Sequence, residues 1–467
     1  MHHDPLWNGE TEPNGYEEQH VRAAQRKGRA VAHNLMEQVC EKANLNRAYK
    51  RVRANKGAPG DDGRTIIEMR EWLANHKEAF VASLMEGSYQ PQAVKGVSMP
   101  KPGGGQRQLG IPTVVDRLVQ QAILQVLEPL LDPTFSGSRF GFRPGRGAHG
   151  ALAQARQYVA EGRAIVVELD LETFFDRVNH DMVMARLARH VGDTRLLRLV
   201  RRFLEAGMMT NGEVVERYEG TPQGGPLSPL LANLMQDDLD KELESRGHSF
   251  CRYADDSNIY VRTQAAGERV KESISQYIEG KLKLRVNREK SAVAHVRERK
   301  FLGHRLLGGG RLTISPKALK GVKTRIRTIT RRNRGVAFGQ VLEELRSYLT
   351  GWVAYYRHAE ARSVLKRLDQ WVRDKVRCYR LKQCKRNRTI ATFLHAQGVP
   401  WEQAWKVAAS GKGWWRKTKT PQAKQAMTIA WLRAQGLVSM EERYMALNQW
   451  LKPPDARSTS GGVRGDG

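Results

Sequence analysis

The sequence predicts an α+β fold in which a small antiparallel sheet precedes a bundle of helices. Three observations predict it. Phe250 to Val261 sets two runs rich in aromatic and β-branched residues around a tight Ala254-Asp255-Asp256 turn, the pattern of a β-hairpin. Ala164 to Asp170 is a short apolar run that reads as a buried central strand ending in a carboxylate. Beyond Ser315, three segments repeat apolar residues at helical spacing: Leu319, Val322, Ile326 and Ile329; then Val341, Leu345, Leu349 and Val353; then Leu365, Leu368, Val372 and Val376. Short connections between three amphipathic helices imply a bundle.

Length and charge narrow the possibilities. The 467 residues suffice for two to four domains with real cores. Lys and Arg total 78 against 49 acidic residues, a formal charge of +29, which points to a polyanionic partner along an extended footprint. No apolar run is long enough to span a bilayer, and Met1 to His20 lacks the apolar core of a signal peptide, so a cytoplasmic protein is expected. Cys40, Cys251, Cys378 and Cys384 are scattered, with no Cys-x-x-Cys pair. They read as buried thiols in a reducing compartment, not as zinc ligands.

In chain order, residues 1–20 read as disordered. Val21 to Arg53 is helical and basic, and Asn55 to Gly63 breaks it with turn residues. Met99 to Pro112 reads as a hairpin with a glycine tip, placing Lys101 and Arg107 on opposite arms, where both can meet one anion such as a triphosphate. Val114 to Leu130 is an amphipathic helix, and Phe140 to Gly147 mixes aromatics, arginines and flexible backbone. Asn179 is placed to cap a helix running through Leu187; Asp176 and Asp181 read as structural acids. Pro222-Gln223-Gly224-Gly225-Pro226 excludes a regular helix or central strand, and Gln223 offers both a donor and an acceptor to a nucleotide or a minor groove. Lys281 to Val286 alternates as a short strand. Ser315 reads as an N-cap with Pro316 at the first helical position. Residues 396–452 interleave tryptophans with bases. Trp401 and Trp405, spaced as helical neighbours, read as packing residues, and the remainder suits stacking and phosphate contact.

An Asp-Asp turn taken alone reads as polar surface. Joined by Asp170 at the end of a central strand, Asp255 and Asp256 become a set of hard oxygen ligands suited to a two-metal phosphoryl-transfer site. Three blocks carry a family resemblance: Leu169-Asp170-Leu171-Glu172-Thr173-Phe174-Phe175-Asp176, Thr221-Pro222-Gln223-Gly224-Gly225-Pro226-Leu227-Ser228-Pro229, and Tyr253-Ala254-Asp255-Asp256. In this order they resemble the palm of a bacterial group II intron-encoded reverse transcriptase/maturase. The likeness runs over roughly residues 22 to 450. It implies a right-hand polymerase with fingers, a palm built on an antiparallel sheet, a three-helix thumb and a small helical C-terminal segment.

The resemblance also implies roles. Asp170, Asp255 and Asp256, with the Leu171 carbonyl, hold two Mg²⁺ ions, for which Mn²⁺ can substitute. Lys290 matches a lysine that protonates the leaving pyrophosphate, or is a solvated surface lysine. Lys101 and Arg107 belong to the fingers and bind dNTP phosphates, and Gln223 contacts the nucleotide. Phe175 lies under the incoming sugar and excludes a 2′-hydroxyl, while Phe174 is core. Phe301-Leu302-Gly303-His304 grips the primer end at the edge of the palm.

The expected domains are a disordered N-terminus over 1–20, an N-terminal extension and fingers over 21–160, a palm over 161–311, a thumb or maturase domain over 312–395, a DNA-binding segment over 396–452 and a flexible tail over 453–467. No counterpart of an endonuclease domain follows the thumb, which fits an endonuclease-lacking, group IIC-like class. The expected function is RNA-directed DNA polymerisation, with binding of intron RNA, splicing assistance and retrohoming. The partners are intron RNA, an RNA template, the RNA/DNA hybrid and a DNA target; no membrane partner is expected. The rivals are a splicing cofactor without catalysis, a domesticated relative in DNA repair or defence, and an RNA-dependent RNA polymerase, which Phe175 disfavours.

Overall fold

The computed structural model describes residues 32–100, 106–210, 213–222 and 224–449, without the side chains of Arg107 and Gln449. The stretch 1–20 expected to be disordered, the start of the basic stretch up to residue 31, the tail expected to be flexible, Lys101, Gln223 and the Arg107 side chain lie outside the described residues. The chain divides into two units, Met1–His295 and Val296–Gly467.

In the first unit the basic N-terminal stretch forms two helices, α1 (Leu35–Cys40) and α2 (Lys42–Ala54), because Glu41 takes an extended ψ of 133°. A capping box opens α3 (Ile66–Met85): Glu68 Oε2 accepts from the Thr65 backbone at 2.7 Å, and Thr65 Oγ1 accepts from the Glu68 backbone. The expected hairpin is β1 (Val94–Pro100) and β2 (Gln106–Ile111), paired from Lys95–Ile111 to Pro100–Gln106. Then follow α4 (Val114–Leu131), α5 (Ala148–Ala160), β3 (Ile165–Leu169), α6 (His180–Leu187) and α7 (Thr194–Glu205). As the sequence indicates, Asn179 caps α6 by accepting from the Met182 backbone at 2.9 Å. The unit ends with β4 (Met208–Thr210), β5 (Glu213–Val215), α8 (Ser228–Ser245), β6 (Ser249–Tyr253), β7 (Asp256–Val261), α9 (Gln264–Gly280) and β8 (Ala292–His295).

Among the described residues of this unit two four-stranded sheets result, in the orders β2-β1-β4-β5 and β6-β7-β3-β8. The second is antiparallel throughout and carries the hairpin and the central strand expected from the sequence. Val166, Val167 and Leu169 are buried, as befits a strand covered on both faces. Helix α9 lies close on this sheet at Gly267, where a Cβ would stand 2.4 Å from Val293 Cγ1. The stretch Lys281 to Val286 is not the expected strand. Lys283 has φ +56°, which breaks a ladder, and only Val286 bridges to Leu171. Its alternation nonetheless serves burial, since Leu282, Leu284 and Val286 all enter the core.

The second unit opens with a turn at Leu302 (φ +48°) and Gly303 (φ +76°), leading into β9 (His304–Leu306) and β10 (Leu312–Ile314). Ser315 Oγ caps the next helix at the Ala318 backbone, with Pro316 in the first turn. The three long helices are α10 (Pro316–Ile329), α11 (Phe338–Tyr356) and α12 (Arg362–Gln383), and their buried residues include the apolar stripes expected from the sequence, except that Leu319 is only half-buried. Short helices follow: α13 (Asn387–Ala396), α14 (Trp401–Ala409), α15 (Trp414–Lys417), α16 (Pro421–Ala426), α17 (Ile429–Ala434) and α18 (Met440–Gln449). Asp369 on α12 pins α18 by accepting from the Met440 backbone at 2.9 Å, the Glu441 backbone at 3.0 Å and Ser439 Oγ at 2.7 Å. All four cysteines are free and buried. No helix of the described residues is long and apolar enough to cross a membrane.

Candidate active site

The site is built on strand register. Strand β3 pairs antiparallel with β7 and ends with Leu169 opposite Ser257, so Asp170, the next residue, stands across from Asp256. Strands β6 and β7 close with Tyr253 opposite Asp256, which leaves Ala254 and Asp255 as a two-residue turn. Ala254 has φ +56°, an unusual conformation for a side-chain-bearing residue at the first turn position. Three carboxylates thus share one end of the sheet. Among the described residues, however, no group of three or more His, Cys, Asp or Glu side chains is drawn together around a metal-sized centre.

Instead a cation stands beside the first acid. Lys290 Nζ lies 3.5 Å from Asp170 Oδ2. The loop that presents it is well tied: Asn287 N donates to the Asp170 carbonyl at 2.8 Å, Ser291 Oγ accepts from Asp170 N at 3.0 Å, and Asn287 Oδ1 accepts from Lys290 N at 3.2 Å. Leu171 bridges to Val286. The donor chemistry of the end of the sheet, all carboxylate oxygen with an ammonium already attracted to it, fits a divalent cation.

Phe175 follows Asp170 closely in the chain, in a short 3₁₀ turn, Phe174–Asp176. Phe174 is buried, as expected; Phe175 is half-buried, edge-on to Phe174 at 5.3 Å. The Phe175 carbonyl accepts from Thr221 N at 2.7 Å, so the turn is joined directly to the loop around Gln223. That loop is held at both ends. His180 Nε2 meets the Gly220 carbonyl at 2.6 Å, and Ser228 Oγ donates to the Pro222 carbonyl at 2.7 Å. Burial holds the His180 ring below its ordinary pKa, so the imidazole is neutral there. A Cβ on Gly224 would lie 2.5 Å from the Gly110 carbonyl, so the glycine run after Gln223 lets this loop meet β2. In the fingers hairpin, Arg107 pairs with Met99 across the ladder.

Within Phe140 to Gly147 the side chains divide between interior and surface. Arg143 is buried and bonded to Asp132, with Nε at 2.6 Å from Oδ1, and to the Ser136 carbonyl at 2.6 Å. Phe140 is also buried, leaving Phe142 as the exposed ring. Trp401 and Trp405, expected to be packing residues, are instead stacked on one another at 6.1 Å and are 46% and 43% exposed. Their helix is short, and its buried face is carried by Ala404, Val407 and Ala408.

Sequence reasoning missed an ion network beneath the hairpin. Arg252 precedes Tyr253 in β6, and Arg139 lies in the loop beside it; both are buried and both pair with Asp240 of α8. Asp237 stands 3.9 Å from Arg139 and also pairs with Lys241. Arg252 exchanges backbone bonds with this loop, donating to the Ser138 carbonyl and accepting from Phe140 N, each at 2.9 Å. Asn233 Nδ2 donates to the Gly141 carbonyl at 3.1 Å. Gly141 then meets the turn itself: a Cβ there would lie 2.3 Å from Ala254 N. The signal available in the sequence was a charged residue inside the otherwise apolar strand at Arg252.

A four-stranded antiparallel sheet in this order, with three acids at one end of it, is the architecture of a polymerase palm. Residues 99–306 match the family model described as reverse transcriptase (RNA-dependent DNA polymerase), and residues 319–396 match that of the group II intron, maturase-specific domain. The chain is 34% identical to protein YkfC of Escherichia coli over 307 residues, covering 56% of this chain and 80% of YkfC. It is 35% identical over 196 residues to the group II intron-encoded protein LtrA of Lactococcus lactis, covering 42% of this chain and 32% of LtrA. Among solved structures, a chain of a partial Cas6-RT-Cas1–Cas2 complex is similar at 25% identity and TM-score 0.35, over 53% of this chain and 43% of that one. The chain therefore belongs to the group II intron-encoded reverse transcriptase/maturase family. It is an RNA-directed DNA polymerase joined to a maturase domain.

Proposed function

We propose that this polymerase extends a primer on an RNA template through Asp170, Asp255 and Asp256, and that its maturase domain serves the splicing and retrohoming of a group II intron. The observation that carries the catalytic reading is the β3–β7 register, which puts Asp170 across from Asp256 and next to the turn bearing Asp255. These carboxylates and the Leu171 carbonyl would hold two Mg²⁺ ions, with Mn²⁺ as a substitute. Bound there, the ions supply a lowered pKa at the primer hydroxyl and neutralise the pyrophosphate.

The remaining roles belong to the chain's own side chains. Lys290, already drawn to Asp170, gives a proton to the leaving group. Phe175, held to the Thr221 loop, sets the floor under the incoming sugar, and Gln223 follows in that loop. Lys101 and Arg107 take the triphosphate from the fingers hairpin. The partners are intron RNA, the RNA/DNA hybrid, a DNA target and dNTPs, in keeping with a charge of +29. The exposed Trp401–Trp405 pair supports base stacking by the C-terminal segment.

The test is single-turnover extension by Asp170→Asn and Asp255→Asn beside filter binding of structured intron RNA. Extension should be lost and RNA affinity kept, because the footprint rests on Lys and Arg. A parallel loss of RNA affinity would refute the assignment.

A further inference from the structure

Behind the catalytic turn lies a small cavity whose wall includes Arg252, Gln236, Ser257 and Asp255, completed by leucine and isoleucine side chains. It has room for about one water molecule. Arg252, Gln236 and Ser257 are buried to within 1%, 2% and 4% of full burial. Each carries polar atoms with no hydrogen-bond partner among the described residues: Nε and Nη1 of Arg252, Nε2 of Gln236 and Oγ of Ser257. The Arg252 guanidinium is otherwise committed, since its Nη2 is ion-paired with Asp240 and donates to the Gln236 carbonyl at 2.8 Å. Unpaired buried polar atoms are rare and costly, and several around one cavity point to something that satisfies them together.

We propose that this cavity is a structural water site and that the water links Arg252 and Gln236 to the Asp255 carboxylate. The donor and acceptor inventory selects the occupant. Arg252 and Gln236 present N–H donors, Asp255 presents acceptor oxygens and Ser257 can do either. Water accepts from the first two and donates to the last two, using its full complement of four hydrogen bonds. A cation would meet the Arg252 guanidinium, and an anion would meet the Asp255 carboxylate. Charge does not drive the link, because the Arg252 guanidinium is already paired with Asp240. The water therefore acts by direction: it fixes the orientation of Asp255 from behind, leaving the other side of the carboxylate to face the end of the sheet. Gln236 and Ser257 are thus positioning residues, acting through the water on Asp255.

This inference rests on the metal-binding role proposed for Asp255, and the experiment separates the two. Ser257→Val places a methyl group where the water stands and suits a strand; Gln236→Met removes the donor at similar volume. High-resolution crystal structures of the wild type and both variants are paired with Mn²⁺ binding by electron paramagnetic resonance on protein without nucleotide. The wild type should show one water within hydrogen-bond distance of Ser257 Oγ, Gln236 Nε2 and Asp255, and Ser257→Val should lack it. Mn²⁺ affinity should fall about tenfold in each variant, and the dNTP KM should stay constant. A dry wild-type cavity, an ion in place of water, or unchanged Mn²⁺ affinity in either folded variant overturns the proposal. Asp255→Asn serves as the control. If it abolishes Mn²⁺ binding while the Ser257 and Gln236 variants bind normally, the water link alone is refuted. If Asp255→Asn also binds normally, the metal site itself is refuted, and the link with it.

Discussion

The Lys290 ammonium stands 3.5 Å from the Asp170 carboxylate, on a loop whose ends are bonded to the backbone of Asp170 itself. The lysine is 68% exposed and the acid 25%, so the contact can open when a stronger cation arrives. Lys290→Met should therefore have opposite effects on binding and on chemistry. Mn²⁺ binding to the free protein should tighten, because a competing charge is gone. Single-turnover extension should slow by about a hundredfold, the usual scale for losing a positioned proton donor. If both quantities stay at wild-type values, Lys290 is a solvated surface residue.

Sugar selection should depend on Phe175. The ring is only half-buried, and its backbone is held by Thr221, so Phe175→Val should keep the turn in place. Incorporation of a ribonucleotide relative to its deoxynucleotide should rise by about tenfold, the scale on which one group's fit discriminates. Competition between the two nucleotides in single-nucleotide extension checks this; an unchanged ratio returns Phe175 to the core.

The arginines after α10 should separate into two kinds. Arg331 and Arg332 are exposed, whereas Arg334 donates to the Ile329 carbonyl at 2.7 Å and to Glu344 at 2.8 Å. Arg331→Glu with Arg332→Glu should weaken binding to structured RNA and flatten its salt dependence by roughly 0.7 to 0.9 in log–log slope per lost phosphate contact. Arg334→Glu should instead lower the thermal midpoint of the second unit. A salt titration beside a melting curve distinguishes the two.

Asp116 gives the first unit a pH dependence of unusual sign. Burial raises its carboxyl to about 6, although Thr113, Tyr89 and the Gln92 backbone all donate to it. The folded chain therefore holds this proton in a window, from about pH 4 to pH 6, where the unfolded chain has released it. Stability from this group is greatest at low pH and falls as pH rises through the window, by up to an order of 3 kcal/mol. Asp116→Asn cannot titrate, so its stability relative to wild type should improve from about pH 4 to about pH 6 and level off above that. Denaturant midpoints across that range check it; a constant difference would show that Asp116 is ionised throughout.

Elements written in local periodicity were legible. The hairpin at Ala254–Asp255, the strand before Asp170, the caps at Asn179 and Ser315 and the three long helices all lie where short-range pattern places them. The family matches agree with the three quoted blocks and with the likeness of the following helices to a maturase domain. What escaped was long-range or contrary to polarity. Nothing local tells that Arg139 and Arg252 meet at Asp240, because burial of two guanidinium groups is favourable only with partners far along the chain. The inward turn of Arg143 is hidden for the same reason, since no local pattern marks Asp132 as its partner. Trp401 and Trp405 were misjudged in the opposite direction. Large rings at helical spacing suggest a core, but alanines and a valine already fill it.

Gly141 and Ala254 finally bear on how this enzyme can change over generations. A side chain at Gly141 would collide with the backbone of the turn, and the turn already bends in a way that most residues resist. Neither position can enlarge alone without displacing Asp255. The spacing of the acids is consequently inherited from two distant stretches of the gene, and substitutions in the one are tolerated only in step with the other. Libraries that randomise the Tyr253–Asp256 hairpin alone would sample mostly dead variants, whereas libraries that vary residues 139–142 with it would open sequence space that single-site drift does not reach.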